Sequence, residues 1–121
     1  MGRPPYQPRP LQSLETEPFA DSEEAWMWYC YCQLARLAGC RPKADMGGVA
    51  RPCDPDDIHR VAMHLARREI LLPAHVRTLA EVGTLLAGSA ASVSLSTLQN
   101  QVWLEALKRL EPALRAKGIV A

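Results

Sequence analysis

Ala25-Trp26-Met27-Trp28-Tyr29-Cys30-Tyr31-Cys32 is the stretch whose reading decides this fold. Its flanks make it helical. Asp21 stands at an N-cap position with Glu24 three residues on, the reciprocal arrangement in which each side chain accepts from the other's backbone N–H. From that start a helix is predicted over Ser22–Ala38, with Gly39 supplying the left-handed stop. Wound at about 3.6 residues per turn, the stretch puts apolar or aromatic side chains on every side. A helix resting on a surface shows one apolar stripe. This one is either wrapped by other helices or keeps an aromatic face for a partner.

Downstream, three more helices are predicted. The second opens on Asp54, with Pro55 in its first position and Asp56 and Asp57 against the positive end of its dipole. Its stripe is Ile58, Val61, Ala62 and Leu65, and Arg67 and Arg68 lie near its C-terminal end, where cations are favourable. After the apolar hinge Ile70-Leu71-Leu72, Pro73 opens a third helix carrying Val76, Leu79, Ala80 and Leu86, with Gly83 as a weak point. Residues 87–96 are Ala, Gly and Ser with one Val and one Leu, a linker composition. Ser96 and Gln99 then form a capping box before a last helix whose buried face is Leu98, Val102, Ala106, Leu107, Leu110 and Leu114. Pro112 is expected to kink or restart it, since the ring blocks the bond to residue 108. Gly118 ends it, bringing Leu114 against Ile119 in a Schellman turn. No strand pattern is present. The expectation is an all-α fold: a four-helix single domain over residues 19–121, its last three helices a tri-helical unit crossed by the aromatic one. A disordered, proline-rich tail over residues 1–18 precedes it.

Composition narrows function mainly by exclusion. The chain has 121 residues, 48% of them apolar, with 14 Lys+Arg against 13 Asp+Glu and a net charge of +1. That is too apolar for a wholly disordered chain and too balanced to announce a polyanionic or membrane partner by charge alone. No window approaches the ~20 apolar residues of a membrane span, and Met1–Pro10 lacks the apolar core of a signal peptide. The expected compartment is the cytoplasm, where the four cysteines are thiols or metal ligands rather than disulfides. The charges are unevenly spread. Residues 11–25 hold five acids and no base, whereas residues 36–77 hold eight bases against five acids.

Nothing in the sequence calls for catalysis. Cys30 and Cys32 point about 200° apart on a helix, so they cannot both hold one ion. Cys40 and Cys53 bracket a loop, but no CxxC or HxxxH accompanies them, and thiols in an Ala- and Leu-rich interior usually pack as small apolar groups. His59, His64 and His75 fall on polar or boundary positions, no GxSxG is present, and Gly47-Gly48 lacks the Lys and Ser/Thr of a phosphate loop. Asp54, Asp56 and Asp57 are accounted for by the helix start. A non-enzymatic protein without cofactor or metal is expected.

Two binding readings compete. The second and third helices, joined by a short turn, have the layout of a helix-turn-helix, whose second helix here offers His75, Arg77, Thr78, Glu81 and Thr84. In this reading Arg60, Arg67, Arg68 and Arg77 hold phosphate, and Arg41, Lys43 and Arg51 add contacts from the loop at residues 39–53. The second reading rests on Trp26, Trp28, Tyr29 and Tyr31. Trp26 and Tyr29 share a face while Trp28 points away, so one tryptophan is left over: it packs under the N-terminal segment or anchors a partner or a second copy.

Three stretches also resemble a family of small bacterial proteins without an assigned function: Phe19-Ala20-Asp21-Ser22-Glu23-Glu24-Ala25-Trp26, Ala50-Arg51-Pro52-Cys53-Asp54-Pro55-Asp56-Asp57-Ile58, and Lys117-Gly118-Ile119-Val120. The resemblance implies a bacterial cytoplasmic protein and no site residues. The leading expectation is a small regulatory or adaptor protein that contacts nucleic acid, in one version as a dimer. The alternative is a protein-interaction module that docks through its aromatic first helix.

Overall fold

The structure, a computed structural model, describes residues 15–39 and 49–121. Within them lie four helices: α1 (Ser22–Leu37), α2 (Pro55–Arg67), α3 (Pro73–Gly88) and α4 (Thr97–Ala116). Among the described residues there is no strand, only an isolated bridge between Phe19 and Val120. No helix among them is long and apolar enough to cross a membrane. The tail up to residue 14 and the loop residues Cys40, Arg41, Lys43 and Gly47-Gly48 lie outside the described part.

Each helix packs against the other three. That resolves the α1 alternative. The helix is wrapped, and Ala25, Trp26, Trp28, Tyr29, Cys30 and Cys32 are all buried although they point in different directions. Trp26 sends its indole N–H to the Leu79 carbonyl (2.9 Å). Gly83 allows this closeness between α1 and α3: a Cβ there would meet Cys30 Sγ at 2.6 Å and Trp26 Nε1 at 2.9 Å. The predicted weak point of α3 is thus a point of contact. α2 buries Ile58, Val61, Ala62 and Leu65 as its periodicity requires.

The helix ends follow their side chains. Glu24 N–H donates to Asp21 Oδ1 (2.9 Å), Asp54 N–H to Asp57 Oδ2 (2.9 Å), and Gln99 N–H to Ser96 Oγ (3.1 Å). The expected return bond at α1 comes from Ala20 N–H, which donates to Glu24 Oε1 (2.7 Å), and not from Asp21 N–H. At the end of α4, Ile119 N–H donates to the Leu114 carbonyl and Gly118 N–H to that of Arg115, the Schellman pair, with Gly118 at φ +76°.

Four expectations need correction. α4 does not restart at Pro112 but continues through it, because Lys108 and Pro112 sit on an exposed side where water can serve the freed carbonyl. Leu98 is 69% exposed, since the whole first turn of α4, Thr97–Gln101, stands clear of the other helices. His75 is 5% exposed rather than at a boundary: its Nδ1 accepts from Leu72 N–H (3.0 Å) at the start of α3. The end of the expected tail is anchored, as Glu17 N–H donates to the Ala50 carbonyl (2.9 Å).

Candidate nucleic-acid interface

The seven arginines and lysines expected to hold phosphate divide into separate groups. Arg41 and Lys43 lie outside the described residues. Arg51 is withdrawn from solvent, its side chain 14% exposed. One guanidinium nitrogen donates to the Glu17 carbonyl (3.0 Å), the other is 3.7 Å from Glu24 Oε2, and the group covers the Phe19 ring at 4.2 Å from its centroid. Phe19 in turn donates its N–H to the Ile119 carbonyl and stacks obliquely on Trp28 at 5.3 Å. Phe19–Trp26, Ala50–Ile58 and Lys117–Val120, the stretches that carry the resemblance, therefore meet at one junction. Arg51 is part of that junction.

Arg60 and Arg67 are brought together. Both line a groove of about 740 Å³ between α2 and the last turns of α4, joined there by Lys117, His59 and His64, with Asp57 the one carboxylate that the described residues place on its walls. Arg60 is ion-paired to Asp57. Arg67 and Lys117 form no ion pair among the described residues. The floor is apolar, with Val61, Met63, Ala113 and Ile119, so the stems of the long cations have a surface to lie on while their heads face water. Cys53 also reaches the groove, but burial, and after it Asp57 and Asp54, push its thiol up to about 12. It stays protonated at neutral pH, which makes it a poor nucleophile and a poor ligand.

Sequence reading missed Lys117, some fifty residues from α2, because its place one turn after Ala113 shows its face on α4 but not that this face packs beside α2. Arg68 caps the C-terminus of α2 and Arg77 lies exposed on α3, both outside the groove. The helix-turn-helix layout also loses its reader. Five residues join α2 to α3, Glu69 among them at φ 62°, and Arg109 fixes this connection by donating to the Ile70 carbonyl (3.0 Å). With His75 buried, Arg77 is the one arginine or lysine that α3 presents.

Of the aromatic residues expected to anchor a partner, Trp26, Trp28 and Tyr29 belong to the chain's own core. The leftover tryptophan, Trp28, packs under Phe19 in the segment that precedes α1. Tyr31, 53% exposed, is the one ring of the four that faces solvent. Cys30 is likewise interior, its thiol raised to about 12 by burial, and the described residues contain no cluster of metal-ligating side chains.

No family model, no curated protein and no solved structure matches this chain.

Proposed function

We propose that this chain is a small non-enzymatic regulatory or adaptor protein that contacts nucleic acid along the groove between α2 and the end of α4. One observation carries the reading: Arg67 and Lys117, from distant parts of the sequence, line the same groove with no ion pair among the described residues, beside two histidines and the Arg60–Asp57 pair. Such cations would replace counterions along a phosphate backbone, which gives affinity without base selection and a strong dependence on salt. An arginine fork grips phosphate in two directions, whereas lysine acts as a point charge, so Arg67 would set position and Lys117 mainly affinity.

The test is a fluorescence-anisotropy titration of mixed-sequence duplex DNA at several salt concentrations. Binding in the micromolar range that collapses with salt is expected. Replacing Arg67 and Lys117 with Ala should reduce the slope of log affinity against log salt by about 1.8, two phosphates at ~0.9 each. Arg77→Ala, outside the groove, should leave it unchanged. Absence of binding at low salt ends the proposal, and equal slopes for all three proteins move the contact elsewhere.

A further inference from the structure

A second cleft, of about 470 Å³, opens between α1, α2 and α3 next to the basic groove, with which it shares His59 and Met63. Its floor is Trp26, Tyr29 and Leu79, and its rim carries Gln33, His59 and Thr84. Three features distinguish it from loose packing. Its walls are fixed: the Trp26 indole is tied to the Leu79 carbonyl, Tyr29 lies 4.9 Å from Trp26, and His59 stacks on Tyr29 at 5.7 Å with 25° between planes. Beneath it, the bare backbone of Gly83 holds α3 against α1, so the floor has little room to collapse. Among the described residues no Lys, Arg, Asp or Glu lines it, while polar groups from three helices ring its mouth.

We infer that this cleft binds an uncharged, mainly apolar small molecule with an aromatic ring. The ring would lie on the Trp26–Tyr29 floor, and one or two hydrogen-bonding groups would face Gln33, His59 and Thr84. The volume falls in the range of about 300–1,000 Å³ typical of small-ligand sites, and an apolar floor with a few convergent polar groups is their usual composition. A partner helix fits less well. Two turns of one, about 10 Å across and 11 Å long, fill roughly 850 Å³ and would stand largely outside. A charged ligand would give up its hydration and find no charged side chain of the described residues on the cleft walls. Leu37, 85% exposed beside the mouth, gives the ligand's outer edge an apolar contact.

The test uses the full chain and the neutral fluorophore N-phenyl-1-naphthylamine. A saturable rise in its emission, one molecule per chain at micromolar concentration, is expected. Ala80→Phe places a ring in the cleft from an exposed position and should lower the affinity at least tenfold with unchanged helix content. Thr84→Phe is the second variant should the first fail to fold. On the unaltered chain, an NMR titration should move the Trp26 indole and Gln33 side-chain resonances and leave Trp103, buried elsewhere, in place. Replacing Arg67 and Lys117 should not affect the probe, which separates this site from the nucleic-acid reading. Non-saturable binding, affinity indifferent to a folded cleft variant, or shifts at Trp103 in place of Trp26 would overturn the inference.

Discussion

At the Phe19 junction, the guanidinium of Arg51 is held by a backbone carbonyl, a carboxylate and an aromatic face, whereas on α2 that of Arg67 forms no ion pair among the described residues. The two residues lie sixteen positions apart in a basic stretch and carry identical chemistry. Their difference is one of surroundings. Arg51 closes a seam where the chain's beginning, its loop and its end meet, and Arg67 is left to water. An arginine already carrying three contacts must lose them to bind phosphate, while one without partners gives up only hydration. Local positive charge is thus a poor guide to a binding surface until the partners of each charge are known.

Four measurements can break or sharpen that contrast. The largest effect is expected at the centre of the junction. Phe19 is fully buried, so Phe19→Ala should cost about 3–5 kcal/mol in urea unfolding. A loss below ~1 kcal/mol would mean the junction is an appendage and not part of the core. Next comes Arg51→Ala, which should cost about 1–2 kcal/mol through the lost hydrogen bond and ring contact and leave the DNA salt slope unchanged. A flattened slope would return Arg51 to the phosphate contact.

A smaller effect should appear in acid. Glu111 accepts from Ser22 N–H at the start of α1 (3.1 Å) and pairs with Arg115, and these bonds hold its carboxyl below the usual range. The hydrogen bond from Arg36 does the same for Asp56. A carboxyl with a lowered folded pKa binds fewer protons in the folded state than in the unfolded state. Its contribution is therefore present above about pH 4–5 and fades as pH falls through the folded value. Unfolding free energy should be level from pH 5 to neutrality with respect to these groups and drop below about pH 4. Glu111→Gln should shrink that drop, and an unaltered profile would remove Glu111 from the account. The smallest stability effect belongs to the groove: Arg67→Ala with Lys117→Ala should change unfolding by less than about 0.5 kcal/mol while changing the salt slope. A large destabilisation would make these residues structural, like Arg51.

Much of the fold is legible because its signals are local. Asp54, Pro55 and Asp57 start α2 by short-range hydrogen bonding and fixed φ, and Ile58, Val61, Ala62 and Leu65 bury at the expected spacing. The all-round apolar character of α1 left open whether other helices surround it or a partner covers one face, and packing decided for the first. His75 was misjudged because its burial depends on an imidazole nitrogen replacing a carboxylate as the cap acceptor. Leu98 was misjudged because periodicity says which face of a helix is apolar and not how far along the helix its neighbours extend. Of the candidate site, Arg60 and Arg67 could be read from the sequence. Lys117 could not, nor could the loss of Arg51 to Phe19.

By itself the sequence determined the four helices, their caps and the stripes that pack them, since each depends on contacts within a few residues along one chain segment. The tertiary structure alone decided which side chains are spent and which are left over. It buried Trp26, Trp28 and Tyr29, enclosed Arg51, and set Lys117 beside Arg67. The physical reason is that availability for binding is what remains after burial and pairing, and both are settled between residues far apart in the chain.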